Sequence, residues 1–162
     1  MYTHAPLNYN CPFCLIQNHQ FEKGSLSAET DLVYHDALTT AFIGVHQLQD
    51  NPGNTIVIPN QHIENLYSLP DELARPLHQL VKAIALAMKQ GYKCDGVSTR
   101  QHNEPAGNQD VWHYHIHVTP RYQDDNFYSS YKTGAHLMPV DARAKLAEKL
   151  RPLVSSIMDA GI

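Results

Sequence analysis

The chain is poor in charged side chains, and this scarcity limits what it can bind. Only 17% of its 162 residues are Asp, Glu, Lys or Arg, and the formal net charge is −4. Binding to a nucleic acid backbone needs several Lys or Arg side chains to neutralise phosphates, so we expect no nucleic-acid partner. One small phosphorylated ligand is not excluded. No apolar run approaches the ~20 residues that a membrane-spanning helix requires, and we expect no membrane partner.

The sequence also lacks a disulfide framework. Its three cysteines are a close pair, Cys11 and Cys14, and an isolated Cys94. A small secreted domain uses a larger paired set. Residues 1–6 show neither the basic region nor the apolar stretch of a signal peptide. We therefore expect a cytoplasmic protein in which the close pair is a metal site or a redox site.

The length of 162 residues suits one domain with a single core. No internal repeat, low-complexity tract or linker divides the chain. We predict a single domain over residues 1–162, with its core at about 11–121 and a C-terminal tail and helix over 122–162.

Short β-branched segments between turn signals predict strands, and apolar residues at helical spacing predict two longer helices. The predicted strands cover residues 31–35, 38–43, 55–58, 96–100 and the histidine-rich segment from 113 to Pro120. One helix is predicted from about Pro70 to Gly91 and another from about Asp141, with an irregular tail over 122–138. Because hairpins replace regular strand–helix–strand units, this order predicts an α+β fold with an antiparallel sheet.

Three histidines alternate with apolar or aromatic residues in the segment His113-Tyr-His-Ile-His-Val118. In an extended strand the three imidazoles share one face. Neutral imidazole is a good nucleophile towards phosphorus, and covalent catalysis divides one difficult displacement into two easier ones. His115 alone has an imidazole on each side, so it is the candidate nucleophile, and a neighbouring histidine would contact a phosphate oxygen or protonate the leaving group. Two alternatives stay open: a three-histidine site for a catalytic zinc, and a solvent-exposed strand face.

The alternating segment resembles the His-x-His-x-His-x-x signature of the histidine triad superfamily of nucleotide hydrolases and transferases. Four other stretches follow the family's order, and the resemblance covers about residues 11 to 121. These stretches are Cys11-Pro-Phe-Cys14, the segment from Asn51 to His62, the loop of Asn103 and residues 107–111, and Pro120-Arg121.

The resemblance implies a five-stranded antiparallel sheet with two main helices, in a homodimer. It also implies that His115 attacks the α-phosphate of a nucleoside phosphoramidate, a dinucleoside polyphosphate or a related nucleotidyl compound. Water would then hydrolyse the nucleotidyl-His115 intermediate. His117 would contact the phosphate or the leaving group, and His113 is the third member of this catalytic set. Asn103 and Gln109 would surround the α-phosphate, with hydrogen bonding inside their loop as the alternative role.

Cys11, Cys14, His62 and His113 offer two thiolates and two imidazoles, a donor set that suits a closed structural zinc site. Zinc-bearing members of the resembled family place ligands at matching positions. Such an ion would tie the N-terminal segment to the histidine strand. The alternative is a metal-free pair of buried thiols. A redox pair is disfavoured because the βαβ context is absent, and no organic cofactor is expected.

The sequence departs from the family pattern at three positions. Asn54 stands where many members have a histidine that supports the triad, and an amide cannot carry a proton. Gly44 takes the place of an Asp that holds the ribose hydroxyls, and Asp110 takes the place of a Ser shortly before the triad. The departures at Asn54 and Gly44 motivate an alternative function, a nucleotide-binding or sensing module with little turnover.

Overall fold

The computed structural model describes residues 2–22 and 25–161. The helices in these ranges are α1 (Pro12–Gln17), α2 (Asp71–Gly91), α3 (Phe127–Thr133) and α4 (Val140–Asp159). The strands are β1 (Leu32–His35), β2 (Thr39–Ile43), β3 (His46–Gln47), β4 (Thr55–Pro59), β5 (Gly96–Gln101), β6 (Ile116–Arg121) and β7 (His136–Leu137). No helix in the described ranges is both long enough and apolar enough to span a membrane.

Five strands form one antiparallel sheet in the order β1-β2-β4-β6-β5. The expected α+β fold with a five-stranded antiparallel sheet is confirmed. Strands β3 and β7 form a separate two-stranded ribbon. Every residue of β2 and β4 is buried. Both faces of the sheet are therefore covered at its centre.

The two long helices cover one face of the sheet. Helix α2 buries apolar residues at helical spacing, namely Leu73, Leu77, Leu80, Ile84 and Met88. Helix α4 adds Leu150 and Val154 to the same core, which also contains Val57 and Val118 from the sheet. Burying one such side chain stabilises the fold by about 1.5–3 kcal/mol. This face is the structural core, so the histidines must be sought on the other face.

A smaller apolar cluster covers the opposite face. Phe13 and Ile16 of α1 pack against Phe42 of β2 and against Ile56 and Ile58 of β4. The rings of Phe13 and Phe42 meet edge to face, with centroids 5.3 Å apart. Helix α1 thus lies directly above the sheet face on which β4 and β6 meet.

Two sequence predictions need correction. The tail over residues 122–138, predicted to be irregular, contains α3 and β7. Asp125 forms an ion pair with Arg121 at 2.7 Å and accepts a hydrogen bond from the backbone N–H of Phe127, which orders the start of α3. The histidine strand begins only at Ile116, and His113 and His115 lie just before it. The backbone N–H of Tyr114 is bonded to the carbonyl of Ile63 instead of a neighbouring strand.

Candidate active site

The three histidines lie together on the sheet face that α1 covers. The ring of Phe13 meets His113 and His115 edge to face, with centroid distances of 6.0 and 5.2 Å. The rings of His115 and His117 are 5.0 Å apart. Because Phe13 belongs to the apolar cluster on this face, the histidines border that cluster and not the core beneath α2 and α4.

One hydrogen bond fixes the tautomer of His115. Its Nδ1 lies 2.7 Å from the carbonyl oxygen of His113. A carbonyl oxygen only accepts, so Nδ1 carries the proton and Nε2 keeps its lone pair. The side chain is 2% exposed, and burial lowers the pKa of the imidazole below its ordinary value. His115 is therefore a neutral imidazole with an unprotonated Nε2.

His117 is held in the opposite tautomer. The amide nitrogen of Asn54 lies 3.3 Å from its Nδ1, and the amide oxygen of Asn54 accepts a hydrogen bond from the Thr119 hydroxyl at 3.0 Å. An amide nitrogen only donates, so Nδ1 of His117 accepts and Nε2 carries the proton. Burial lowers the pKa of His117 to about 3, and repulsion from the permanently charged Arg100 guanidinium adds to this effect. His117 is a neutral hydrogen-bond donor at physiological pH.

A cavity of about 170 Å³, here called the His117 cavity, opens beside the ring of His117. His115 does not line this cavity, and its ring lies 5.0 Å from that of His117. The polar walls of the cavity include Asn54, Arg100, His102, Asp110 and His117. Arg100 lies directly opposite His117 in the β5–β6 register, and His102 follows two residues later. Residues with this pairing and spacing share one face of a sheet. The sequence reasoning missed Arg100 and His102, because their place beside His117 depends on the strand register.

A second, more apolar cavity of about 350 Å³, here called the Phe13 cavity, adjoins the first. Its walls include Phe13, Ile16, Phe42 and Ile56. His46 and Asp110 line both cavities, so the two spaces meet at these residues. A polar space next to an apolar one suits a ligand with a charged part and a flat apolar part.

Asn103 and Gln109 lie in the loop before the histidines, and neither is among the residues lining these two cavities. The amide nitrogen of Gln109 donates to the carbonyls of Glu64 and Val111, and its oxygen accepts from the N–H of Glu104. Asn103 accepts from the N–H of Leu66. These bonds order the loop, and a contact with substrate remains a prediction for both residues.

His113 uses its two ring nitrogens away from the cavities. Its Nε2 lies 2.9 Å from the carbonyl oxygen of Pro59 and donates to it. Its Nδ1 lies 3.4 Å from the sulfur of Cys11 and 3.6 Å from that of Cys14. The three histidines therefore do not converge on one point, which disfavours a catalytic zinc held by the triad. Within the catalytic set, His113 contributes the carbonyl oxygen that orients His115.

The structure brings Cys11, Cys14, His62 and His113 together. Each offers one donor atom, and these atoms all lie within 4.8 Å of one another. Three of the nitrogen–sulfur distances, Cys11–His113, Cys14–His62 and Cys14–His113, are 3.3 to 3.6 Å. Tetrahedral zinc with ordinary bond lengths separates such atoms by about 3.5 Å. A hydrogen bond from Cys14 keeps the pKa of Cys11 well below its ordinary value, so one sulfur is a thiolate. The donor set and its spacing fit a structural zinc ion.

The chain is similar to known proteins in both sequence and structure. A family model, the HIT domain, matches residues 25–124. Protein hit of Bacillus subtilis is 36% identical over 127 residues, which are 78% of this chain and 81% of that protein. The adenosine 5′-monophosphoramidase HNT1 of Saccharomyces cerevisiae is 29% identical over 117 residues, 72% of this chain and 66% of that protein.

Among solved structures, the chain resembles that of a Hit-like protein involved in cell-cycle regulation from Bartonella henselae. The TM-score is 0.74 at 27% sequence identity, and the match covers 93% of this chain and 99% of that one. The similarity therefore extends over the sheet, the helices and the histidine segment together.

Proposed function

The chain belongs to the HIT family, and from this membership and the site geometry we propose that it hydrolyses nucleotides at the α-phosphate through His115. The observation that carries the proposal is the 2.7 Å hydrogen bond from Nδ1 of His115 to the carbonyl of His113. It leaves Nε2 of a neutral imidazole unprotonated, in a ring 5.0 Å from that of His117, which lines the polar cavity. The substrate class is a nucleoside phosphoramidate, a dinucleoside polyphosphate or a related nucleotidyl compound.

In the first step, the lone pair on Nε2 of His115 forms a bond to the α-phosphorus. The bond from phosphorus to the leaving group breaks, and its electron pair leaves with that group. An amine leaving group takes up a proton from water before it departs, and a phosphate departs as the oxyanion. The product is a nucleotidyl-His115 that carries a positive ring, which the carbonyl of His113 stabilises through the Nδ1–H. The Nε2–H of His117 donates a hydrogen bond to a phosphate oxygen or to the leaving group.

In the second step, water attacks the phosphorus of the nucleotidyl-His115. The nitrogen–phosphorus bond breaks and returns its electron pair to Nε2, and one proton of the water is released. The nucleoside monophosphate leaves and the neutral imidazole is restored. The two steps together consume one water molecule for each substrate cleaved.

We propose that the nucleoside lies in the Phe13 cavity. Its volume of about 350 Å³ and its aromatic walls suit a planar base. Gly44 offers no carboxylate for the ribose hydroxyls. Contacts with the base therefore contribute the larger share of the binding free energy. The name of the yeast relative, a phosphoramidase, supports a phosphoramidate as one candidate substrate.

We propose that Cys11, Cys14, His62 and His113 hold a structural zinc ion. When bound, zinc would supply a charge that holds the thiolates and an anchor for the His113 ring. The chain itself also orients the His113 ring, because the Nε2–H of His113 donates a hydrogen bond to the Pro59 carbonyl at 2.9 Å. The orientation of the His113 carbonyl, and hence of His115, follows from these contacts.

We further propose that the protein is a cytoplasmic homodimer. Cys11, Cys14 and Cys94 form no disulfide bond in the structure, which fits a reducing compartment. Strand β5 ends the five-stranded sheet, so one of its edges lacks a strand partner within the described part of the chain. Sheet edges of this kind need a cover. Sedimentation analysis of the purified protein tests the dimer.

The function is tested by hydrolysis of adenosine 5′-phosphoramidate and of a diadenosine polyphosphate by the wild type and by His115→Ala. Loss of the nucleophile should lower kcat by at least about a thousandfold. His78→Ala, which removes an exposed histidine from α2, is the matched control and should keep full activity. An unchanged rate in His115→Ala would contradict the proposal. Nucleotide binding without turnover in the wild type would instead support the sensing module.

A further inference from the structure

The His117 cavity has a cationic wall, defined by the guanidinium of Arg100, that the neutral catalytic histidines do not provide. Arg100 lines this cavity from β5, directly opposite His117 on β6. His102 lines it from the next position on the same face, with its ring 6.1 Å from that of His117. A guanidinium is permanently charged and binds phosphate oxygens in a fork geometry. Because Arg100 lies beside the reaction centre, its charge can favour one class of leaving group over another.

The position of Arg100 is fixed by an aromatic contact. Its guanidinium lies 4.8 Å from the centroid of the Phe127 ring, which is 1% exposed. Such stacking holds a guanidinium in one plane, and the N–H groups of a guanidinium lie along the edge of that plane. An arginine held in this way loses less conformational freedom on binding an anion than an unsupported side chain would lose.

One acidic side chain, Asp110, lines the His117 cavity together with Arg100 and His102. Asp110 lines both the His117 cavity and the Phe13 cavity, so it lies where the two spaces meet. Arg100 and His102 line only the His117 cavity. In a substrate whose base lies in the Phe13 cavity, the part that joins the base to the leaving group would lie beside Asp110. Its leaving group would then lie at the cationic wall.

The protonation of His117 also bears on the leaving group. With its pKa lowered to about 3, the neutral ring donates a hydrogen bond but is a poor acid. An amine leaving group must take up a proton before it can depart. A phosphate leaving group needs none, because it departs as an oxyanion.

We propose that Arg100 and His102 bind an anionic leaving group, so that the preferred substrates are nucleoside phosphoric anhydrides. This inference rests on the proposed function and narrows its substrate class. As Nε2 of His115 bonds to the α-phosphorus, the bridging phosphorus–oxygen bond breaks and its electron pair stays on the bridging oxygen. The leaving phosphate or nucleotide gains one negative charge, which the Arg100 guanidinium neutralises.

His102 adds a polar group to the same wall. Its Nε2 is buried and has no hydrogen-bond partner among the residues that the structure describes. A buried polar atom without a partner costs free energy, which a hydrogen bond to a bound ligand would recover. His102 therefore favours occupancy of this wall by a ligand group that forms a hydrogen bond with it, and Arg100 supplies the preference for an anion.

The test compares two substrates that share the adenylyl group. Diadenosine triphosphate has ADP as its leaving group, and adenosine 5′-phosphoramidate has ammonia. In Arg100→Gln, kcat/KM for the triphosphate should fall by about 10- to 100-fold. The phosphoramidate should lose less than about threefold, because no charge-assisted bond to its leaving group is removed. An equal loss for both substrates, or no loss for either, would overturn the inference.

Two further variants control for charge and folding. Arg75→Gln removes an exposed arginine from α2, on the opposite side of the sheet, and should leave both substrates unaffected. Arg100→Lys keeps the positive charge but not the two-pronged geometry of the guanidinium. Its loss of kcat/KM for the triphosphate should therefore be smaller than that of Arg100→Gln. If Arg100→Gln fails to fold, the result with Arg100→Lys tests the inference. A loss of kcat/KM confined to the triphosphate supports it, and an equal change for both substrates contradicts it.

Binding of inorganic pyrophosphate, measured by calorimetry, separates the inference from the proposed function. If the wild type hydrolyses neither substrate, the proposed function fails. Pyrophosphate should even then bind the wild type and Arg75→Gln equally and bind Arg100→Gln at least about tenfold more weakly. Binding that does not depend on Arg100 would overturn the anionic site whatever the result for hydrolysis.

Discussion

The amide nitrogen of Asn54 lies 3.3 Å from Nδ1 of His117 and holds that ring in the tautomer opposite to that of His115. Two neighbouring imidazoles thus present different groups at Nε2, one a lone pair and the other an N–H. The lone pair serves attack on phosphorus, and the N–H serves an oxygen of the substrate. An amide at position 54 performs this orientation without carrying a proton itself.

Asn54→Asp should therefore lower kcat strongly. A carboxylate accepts hydrogen bonds only, so it would draw the proton of His117 to Nδ1 and leave Nε2 without a donor. We expect a fall of about 10²- to 10⁴-fold in kcat, the usual contribution of a positioned acid or base. Steady-state kinetics with a phosphoramidate and an anhydride measure it.

Asn54→Gln is the control for Asn54→Asp, since it keeps the amide, and it should retain more activity. A wild-type kcat in Asn54→Asp would show that the tautomer of His117 does not matter for turnover.

The lowered pKa of His117 predicts a pH dependence of stability. The folded imidazole has a pKa of about 3 against 6.5 in the unfolded chain. Between these values the unfolded state binds more protons, so the free energy of unfolding decreases as pH falls below about 6.5. The contribution is fully present above pH 6.5. Urea unfolding at a series of pH values measures the slope.

His117→Gln removes the titrating ring and should show a shallower decrease between pH 6.5 and 3 than the wild type. Both proteins must be compared at equal metal content, because thiolates and imidazoles elsewhere also titrate. Identical slopes would contradict the account of His117 as a buried neutral histidine.

Asp31 and Arg143 form a buried ion pair that joins the start of β1 to α4. Arg143 is 1% exposed and Asp31 is 0% exposed, with a nitrogen–oxygen distance of 3.0 Å. Asp31→Ala leaves the guanidinium buried without its partner and should destabilise the fold by about 3–5 kcal/mol. Glu148→Ala, at an exposed position of α4, should cost about 0.5 kcal/mol or less. Denaturant unfolding of both variants measures the difference, and equal costs would contradict this role.

The cluster of Cys11, Cys14, His62 and His113 predicts one zinc ion per chain. Elemental analysis of protein purified without added metal should find it, and His62→Ala should reduce the zinc content and the Tm. His78→Ala, an exposed histidine outside the cluster, should leave both unchanged. If the purified wild type contained no zinc and its Tm equalled that of zinc-loaded protein, the result would favour the metal-free thiol pair.

Local patterns in the sequence were sufficient to predict much of the fold. The spacing of the apolar residues in α2 and the β-branched run of β4 each depend on neighbours in the chain, and both elements form near their predicted bounds. Helix α3 was missed because it depends on the ion pair of Arg121 with Asp125 and on the packing of Phe127 under that guanidinium.

The site residues also separate into those that a local sequence pattern predicts and those that depend on contacts distant in sequence. The alternation around His115 indicates a shared histidine face, but Arg100 becomes part of the site only through the β5–β6 register. The role of Asn54 depends on Thr119, which is distant in sequence and holds the amide oxygen. Contacts of this kind require the three-dimensional structure, since nothing local in the sequence specifies them.

The central claim is that Nε2 of His115 attacks phosphorus, and the most direct measurement is the identification of the trapped adduct. Protein mixed briefly with adenosine 5′-phosphoramidate or diadenosine triphosphate is denatured in alkali and digested, and peptides are located by mass spectrometry. ³¹P–¹⁵N NMR of ring-labelled protein then assigns the bonded nitrogen. The account predicts an adenylyl group on Nε2 of His115. An adduct on Nδ1, on another residue, or at equal yield in His115→Ala would contradict it.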